Sequence, residues 1–300
     1  MSEKENKKTT AQAVADAVIR QIESGNVLPW RRPWASIPAC NPISGTVYSG
    51  VNARILPPTQ YATFNQLNQC GIRVKEGSKA WPVVYAGSFN PKDEKGEPKK
   101  DDEGKAIFCI TWKRFSVFSR DCWDMSGADE KTLRILHLTE KQLTQQKPGP
   151  EMAEKIIAIP HEKGIGEPCY VPAIDQIRMP EREKFEKLDY FFRVYFHELG
   201  HWTGHSKRLA RLKGSEFGSV PYAKEELIAE LCASTLAQIT GVDSHDLPDM
   251  TPAYIKNWAS VIGKDPNIIL QASGPAQKAA EFIMDRAGIK HGKTEAEKIA

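Results

Sequence analysis

Residues 185–205 read FEKLDYFFRVYFHELGHWTGH. Apolar side chains recur at 185, 188, 191, 192, 195, 196 and 199, the spacing of a helix with one buried face. The pattern predicts one long buried helix over 181–203. Inside it lies His197-Glu198-Leu199-Gly200-His201. Four residues is just over one helical turn, so the two imidazoles share a face about 6 Å apart and can reach one ion. Glu198 points to a neighbouring face, where a carboxylate can act as general base. Two His and one Glu at this spacing on a helix form the HExxH pattern of zinc hydrolases, with His197 and His201 as metal ligands and Glu198 as the catalytic base.

A catalytic zinc needs a third protein ligand and one open position. Residues 222–231, YAKEELIAEL, offer Glu225, Glu226 and Glu230 at the start of a second apolar-periodic helix, expected over 222–240 and stopped by Gly241. Glu226 and Glu230 share a face, and two buried carboxylates on one face are costly without a cation. The economical assignment puts Glu226 on the metal and Glu230 behind it, hydrogen-bonding a ligand imidazole. The alternative, Glu230 as the ligand itself, stays open. Glu225 and Glu226 also suit the positive end of a helix dipole. His205 reads as a helix-end or supporting group, and Tyr222 and His245 are candidate oxyanion donors. The proline-bearing segment 169–179 reads as an edge strand able to pair with an extended substrate backbone.

The chain has 300 residues with a net charge of +3, enough for about two domains. No apolar run approaches the ~18 residues of a membrane helix, and MSEKENKKTT is no secretory signal. Six cysteines, none in a CxxC, fit reduced thiols and a cytoplasmic location. Residues 1–150 hold 22 Lys+Arg against 16 Asp+Glu and five of the seven tryptophans; the remainder is mildly acidic. The expected class is α+β. A first domain spans 1–140, a linker ending in Pro-Gly-Pro spans 139–150, and a mainly helical second domain with a small edge-stranded sheet spans 151–300. Further expectations are a helix over 11–24, a short helix within 60–70, a strand pair around Glu76-Gly77, a flexible loop over 90–105 and a strand after it. A short helix from 151 and helices near 253–262 and 275–287 complete the list.

Basic residues interleave with aromatics in the first half: Trp30, Arg31, Arg32 and Trp34, then Arg73, Lys75, Lys79 and Trp81, then Lys113 and Arg114. Cations on phosphates and rings against bases are how single-stranded nucleic acid is held without sequence preference.

ESGNVLPWRRPW, NPISGTVYSGVN, YATFNQL and GIRVKEGSKAWPVVY resemble the N-terminal domain of ArdC-type antirestriction proteins, which also resembles the N-terminal part of TraC-type primases. HELGHWTGHSKRLAR, YAKEELIAEL and AQKAAEFIMD resemble that family's zincin-like domain. The resemblance spans roughly 11–287. It implies a single-stranded-DNA-binding domain, a zinc metallopeptidase-like domain of gluzincin type and protection of incoming plasmid DNA during conjugation. The protein substrate is unknown, with a host restriction component as a candidate, and no membrane partner is implied. The alternative is a DNA-shielding protein whose zinc site is structural or vestigial.

Overall fold

The computed structural model describes residues 8–25, 28–32, 34–94, 96–101, 103–144, 147–212, 220–243 and 251–290. The apolar stripe of the first helix buries Ala11, Val14, Ala15, Ala17, Val18 and Ile22 along α1 (Thr10–Gly25). After a short hairpin of β1 (Cys40–Asn41) and β2 (Thr46–Val47) come α2 (Gly50–Ile55), β3 (Tyr61–Ala62) and α3 (Phe64–Gln69). Thr63 and Gln66 cap α3 reciprocally, each side chain bonding the other's backbone N–H.

Next come β4 (Arg73–Val74), β5 (Trp81–Phe89), β6 (Cys109–Ser119) and β7 (Trp123–Asp124). β5 and β6 form a long antiparallel ladder from Trp81↔Val117 to Phe89↔Cys109, and β3 joins the far side of β6. The expected strand pair around Glu76-Gly77 is not formed. β4 pairs with β7 instead, because Ile72 is drawn into a small cluster with Leu67 and Trp123. Residues 90–105 connect β5 to β6, the place expected of a loop within a hairpin. They extend the hairpin through bridges Lys92↔Pro98 and Lys100↔Ala106, with Asp93 and Asp101 accepting from Glu97 N and Lys105 N in two turns. The stretch taken as the start of a linker is helical in α4 (Glu130–Leu143), capped by Asp129. Of its apolar side chains Leu136 is buried, whereas Leu133 and Ile135 are exposed, so the amphipathic signal was faint.

The second half begins with α5 (Glu151–Ile157), then β8 (Glu162–Ile165), β9 (Cys169–Val171) and β10 (Gln176–Met179) in the order β8-β10-β9. β9 lies at the sheet edge, antiparallel to β10. The metal-motif helix is α6 (Leu188–Thr203), shorter at its start than expected because 181–187 forms a 3-10 turn and extended chain. α7 (Val220–Thr240) ends at Gly241, whose φ of +73° suits glycine. α8 (Pro252–Lys264) and α9 (Ile268–Arg286) close the fold, with Pro275 inside α9.

α6 packs on α7 where Gly200 meets Ala229: a Cβ on Gly200 would sit 2.9 Å from the Ala229 Cα. That close approach brings HExxH against the acidic face of α7. The larger surprise is the core. Val14, Val18 and Ile22 of α1 share one apolar cluster with Leu227 and Leu231 of α7, Ile255, Trp258 and Ile262 of α8, and Ile269 of α9. Trp30 packs edge-on against Trp258 with ring centroids 5.5 Å apart. One apolar cluster therefore spans the boundary drawn at 139–150, beside a cluster confined to each half.

Candidate metal centre

HExxH sits on the last turns of α6 with Glu198 and Leu199 buried and the two imidazoles turned to α7. His197 Nε2 and His201 Nε2 are 3.1 Å apart. The Glu226 carboxylate approaches the same two atoms at 3.5 and 3.4 Å. Among the described residues these three form a cluster able to hold a metal ion. A tetrahedral ion with bonds of about 2.0–2.1 Å sets neighbouring ligand atoms ~3.3 Å apart. The side chains present fit that group.

Behind the cluster each imidazole meets a second carboxylate. His197 Nδ1 faces Glu230 Oε1 at 3.5 Å, and His201 Nδ1 faces Glu225 Oε1 at 3.6 Å. Glu225 is fixed by Arg211 Nε and Nη2 at 3.2 and 2.9 Å. Glu230, only 2% exposed, accepts from Arg31 Nε and Nη2 at 2.9 and 2.6 Å, from Arg193 Nη2 at 2.5 Å and from the Tyr254 hydroxyl at 3.2 Å. Carboxylates behind ligand imidazoles orient the rings and raise their basicity. The charge balance agrees. Burial disfavours the His201 imidazolium, yet Glu225 and Glu226 outweigh burial and push it up to about 10. Burial also opposes the Glu230 charge, yet Arg31 and Arg193 hold it well below the usual carboxylate range. The pocket favours a cation between its imidazoles and carboxylates.

Glu198 faces the other way. Its Oε2 accepts the backbone N–H of Tyr170 on edge strand β9 at 2.7 Å. The Tyr170 hydroxyl in turn donates to Asp175, which Arg208 also binds. A cleft of about 530 Å³ opens between β9 and the two helices, lined by Cys169, Tyr170, Glu198, His201, Tyr222 and Glu226 among others. Burial and the Glu226 carboxylate push the Tyr222 phenol up to about 12, so it remains an O–H donor beside the cleft. His205 faces Asp175 at 3.8 Å rather than joining the cluster. His245 lies outside the described residues.

The basic–aromatic residues of the first half fall in different places. Trp30 and Arg31 are corrected from the nucleic-acid set: at 2% and 4% exposure they are committed to the core and to Glu230. Arg73 and Lys75 are exposed on and beside β4, and Lys113 is exposed on β6. Lys79, Trp81 and Arg114 come together with Lys8 and Arg20 around a concave surface of about 320 Å³. Arg20 stands over the Trp81 ring at 5.6 Å. Lys8, just before α1, and Arg20, on it, were missed because they lie far from the tryptophan in sequence. Arg32 and Trp34 line a separate cavity. The Arg31, Arg193 and Arg211 supports of the metal centre were also missed; Arg193 alone carried a signal, a cation one turn before His197 on an apolar helix.

Fold and site together define a two-part α+β protein with a zincin-like domain. Residues 151–275 match the family model of a zincin-like metallopeptidase, and residues 8–118 match the N-terminal domain of anti-restriction factor ArdC. The chain belongs to the ArdC-type antirestriction family. The metal-free crystal structure of antirestriction ArdC from plasmid R388 is similar at a TM-score of 0.63 and 27% identity, covering 94% of this chain and 99% of that one. Its Mn(II)-bound form is similar at 0.62 and 26%, covering 93% and 98%. A DNA primase TraC of Escherichia coli is 31% identical over 93% of this chain but 27% of its own length. The chain thus spans about a quarter of that curated relative. No helix among the described residues is long and apolar enough to cross a membrane.

Proposed function

We propose that the chain is an antirestriction protein that binds single-stranded DNA and carries a zinc-dependent peptidase site, protecting incoming DNA from host restriction during conjugation. The observation that carries the peptidase reading is the convergence of His197 Nε2, His201 Nε2 and Glu226 beside a separately held Glu198. His197, His201 and Glu226 hold the ion, and Glu230 supports His197 from behind. Zinc, when bound, supplies a Lewis acid and makes water more acidic at neutral pH. Glu198 takes the proton from the attacking water and passes it to the leaving amine. The Tyr170 N–H fixes one carboxylate oxygen, which leaves the other for this transfer. β9 is the sheet edge beside the cleft, where backbone groups not held by Glu198 pair with an extended peptide, and Tyr222 donates to the carbonyl oxygen as it gains charge. A host restriction component is the candidate substrate.

A site that only held the fold together would need no buried carboxylate at Glu198, which favours chemistry over a vestigial centre. Single strands follow the Lys8, Arg20, Lys79 and Arg114 surface, with a base against Trp81. The deciding experiment compares wild type with Glu198→Gln by mass spectrometry of recipient-cell proteins. Peptide products that appear with wild type and vanish in the metal-loaded variant support the reading; identical peptides from both overturn it.

A further inference from the structure

A cavity of about 90 Å³ lies between the N-terminal segment and α7, lined among others by Arg32, Trp34, Tyr48, Arg54 and Gln238. A single water needs ~10–15 Å³, so the space admits a group the size of an oxyanion. Two guanidinium groups on its wall have no carboxylate partner among the described residues. Arg32 donates to the Leu56 carbonyl at 2.6 Å and to the Gln21 side chain. Arg54 donates from Nη2 to the Thr235 hydroxyl, and its Nε and Nη1 bond nothing among the described residues. All these partners are neutral. The contrast with Arg31 is sharp, since that residue carries its own carboxylate in Glu230.

Two cations taken out of water without a counter-charge are costly to hold. Burial pushes both guanidinium groups down to about 10, and the neighbouring Arg54 cation lowers Arg32 further. Both nevertheless keep partial solvent access. Beside them Trp34 is half-buried, anchored by its indole N–H to the Gln238 carbonyl at 3.0 Å. Forked donors suit phosphate oxygens, and a fixed indole suits a base.

We propose that this cavity binds a nucleotide, its phosphate on Arg32 and Arg54 and its base against Trp34. The site stands apart from the Lys79–Trp81–Arg114 surface and from the metal centre, and it goes beyond the strand-binding reading. The phosphate comes either from a DNA strand or from a free mononucleotide; both present the same chemistry.

Isothermal titration of the full chain with dTMP, thymidine and inorganic phosphate tests this. Wild type binds dTMP, binds inorganic phosphate more weakly and does not bind thymidine measurably. Arg54→Met and Arg32→Met each weaken dTMP by roughly tenfold or more, the usual size for a lost charged hydrogen bond. Ligand-free Arg54→Met melts no lower than wild type, since it sheds an uncompensated charge. Arg54→Lys, which keeps the charge and loses the fork, retains the fold if Arg54→Met does not, and also weakens dTMP. Competition by oligo(dT) identifies a strand phosphate as the source; binding of dTMP without competition identifies a free nucleotide. Wild type that binds neither dTMP nor phosphate, or variants that bind dTMP as wild type does, overturn the proposal. Loss of oligo(dT) binding alone, with dTMP retained, would instead count against the strand-binding reading.

Discussion

Arg31 and Glu230 stand 199 residues apart in the chain and form a two-pronged ion pair behind the metal cluster, at 2.9 and 2.6 Å. The contact ties the N-terminal half to the carboxylate that faces His197. Both side chains are almost wholly enclosed, at 4% and 2% exposure. Removing one member strands charge in the interior, although Arg193 remains on Glu230. Arg31→Met is expected to lose about 3 kcal/mol of stability, read from urea unfolding of metal-free protein. A loss under about 1 kcal/mol would show that Arg193 alone neutralises Glu230.

A cut at residue 150 tests the shared core. The α1 side chains Val14, Val18 and Ile22 rest on α8, and Trp30 rests on Trp258. Each fully exposed Val, Ile or Leu forfeits about 1.5–3 kcal/mol, so a fragment of residues 1–150 is expected to be unfolded by circular dichroism. Co-expression with 151–300 should restore the spectrum. A folded, cooperatively melting 1–150 fragment would reject the shared-core view.

The convergence of His197, His201 and Glu226 was legible in the sequence, because HExxH and the Glu226/Glu230 spacing are local: each lies within two turns of one helix. α1, α6 and α7 were legible for the same reason. What depended on distant partners was not. Arg31 read as a surface cation because its neighbours Trp30, Arg32 and Trp34 look like a binding motif, and its carboxylate lies on a helix 199 residues away. β4 read as half of a hairpin because Glu76-Gly77 is a good turn, whereas the burial of Ile72 turned it towards β7. The charge shift near 139–150 was real, but charge maps surface and the core runs beneath it.

Metal content should follow the two layers of the site. Wild type is expected to bind one zinc ion per chain by elemental analysis, and His201→Ala close to none. Glu225→Gln removes the carboxylate behind His201 without touching the three converging atoms. Its zinc affinity should drop about 10- to 100-fold in competition with a chelator. Equal affinity for wild type and Glu225→Gln would mean that Glu225 only pairs with Arg211.

The concave surface around Trp81 predicts separable signatures in oligo(dT) titrations. Lys79→Ala or Arg114→Ala should each flatten the log–log salt dependence by roughly 0.7. Trp81→Ala should weaken binding by about 1–3 kcal/mol with the salt slope unchanged. Thermal melting must first show that each variant is folded. Folded Lys79→Ala and Arg114→Ala proteins with the wild-type slope would exclude this surface as the strand path.

His161 gives the pH prediction. Its Nδ1–H donates to the Ile159 carbonyl at 2.7 Å, and its Nε2 accepts from the Tyr195 hydroxyl at 2.8 Å. Burial keeps the ring neutral, which leaves Nε2 as the acceptor. Burial pushes His161 down to about 4, with Lys163 and Arg208 adding to the effect and the Ile159 carbonyl opposing it. In the unfolded chain the ring titrates near 6.5. Between those values the unfolded state binds a proton that the native state does not, so stability rises with pH across the window. The contribution is complete above about pH 6.5 and declines as pH falls towards 4. His161→Gln cannot titrate, and comparing its unfolding free energy with wild type at each pH cancels the carboxylates common to both, including Asp175, which Arg208 holds down at about 2. The advantage of wild type over His161→Gln should shrink steadily from neutral pH down to about pH 4. An advantage that stays constant across that range would show that native His161 takes up its proton as readily as the unfolded chain does.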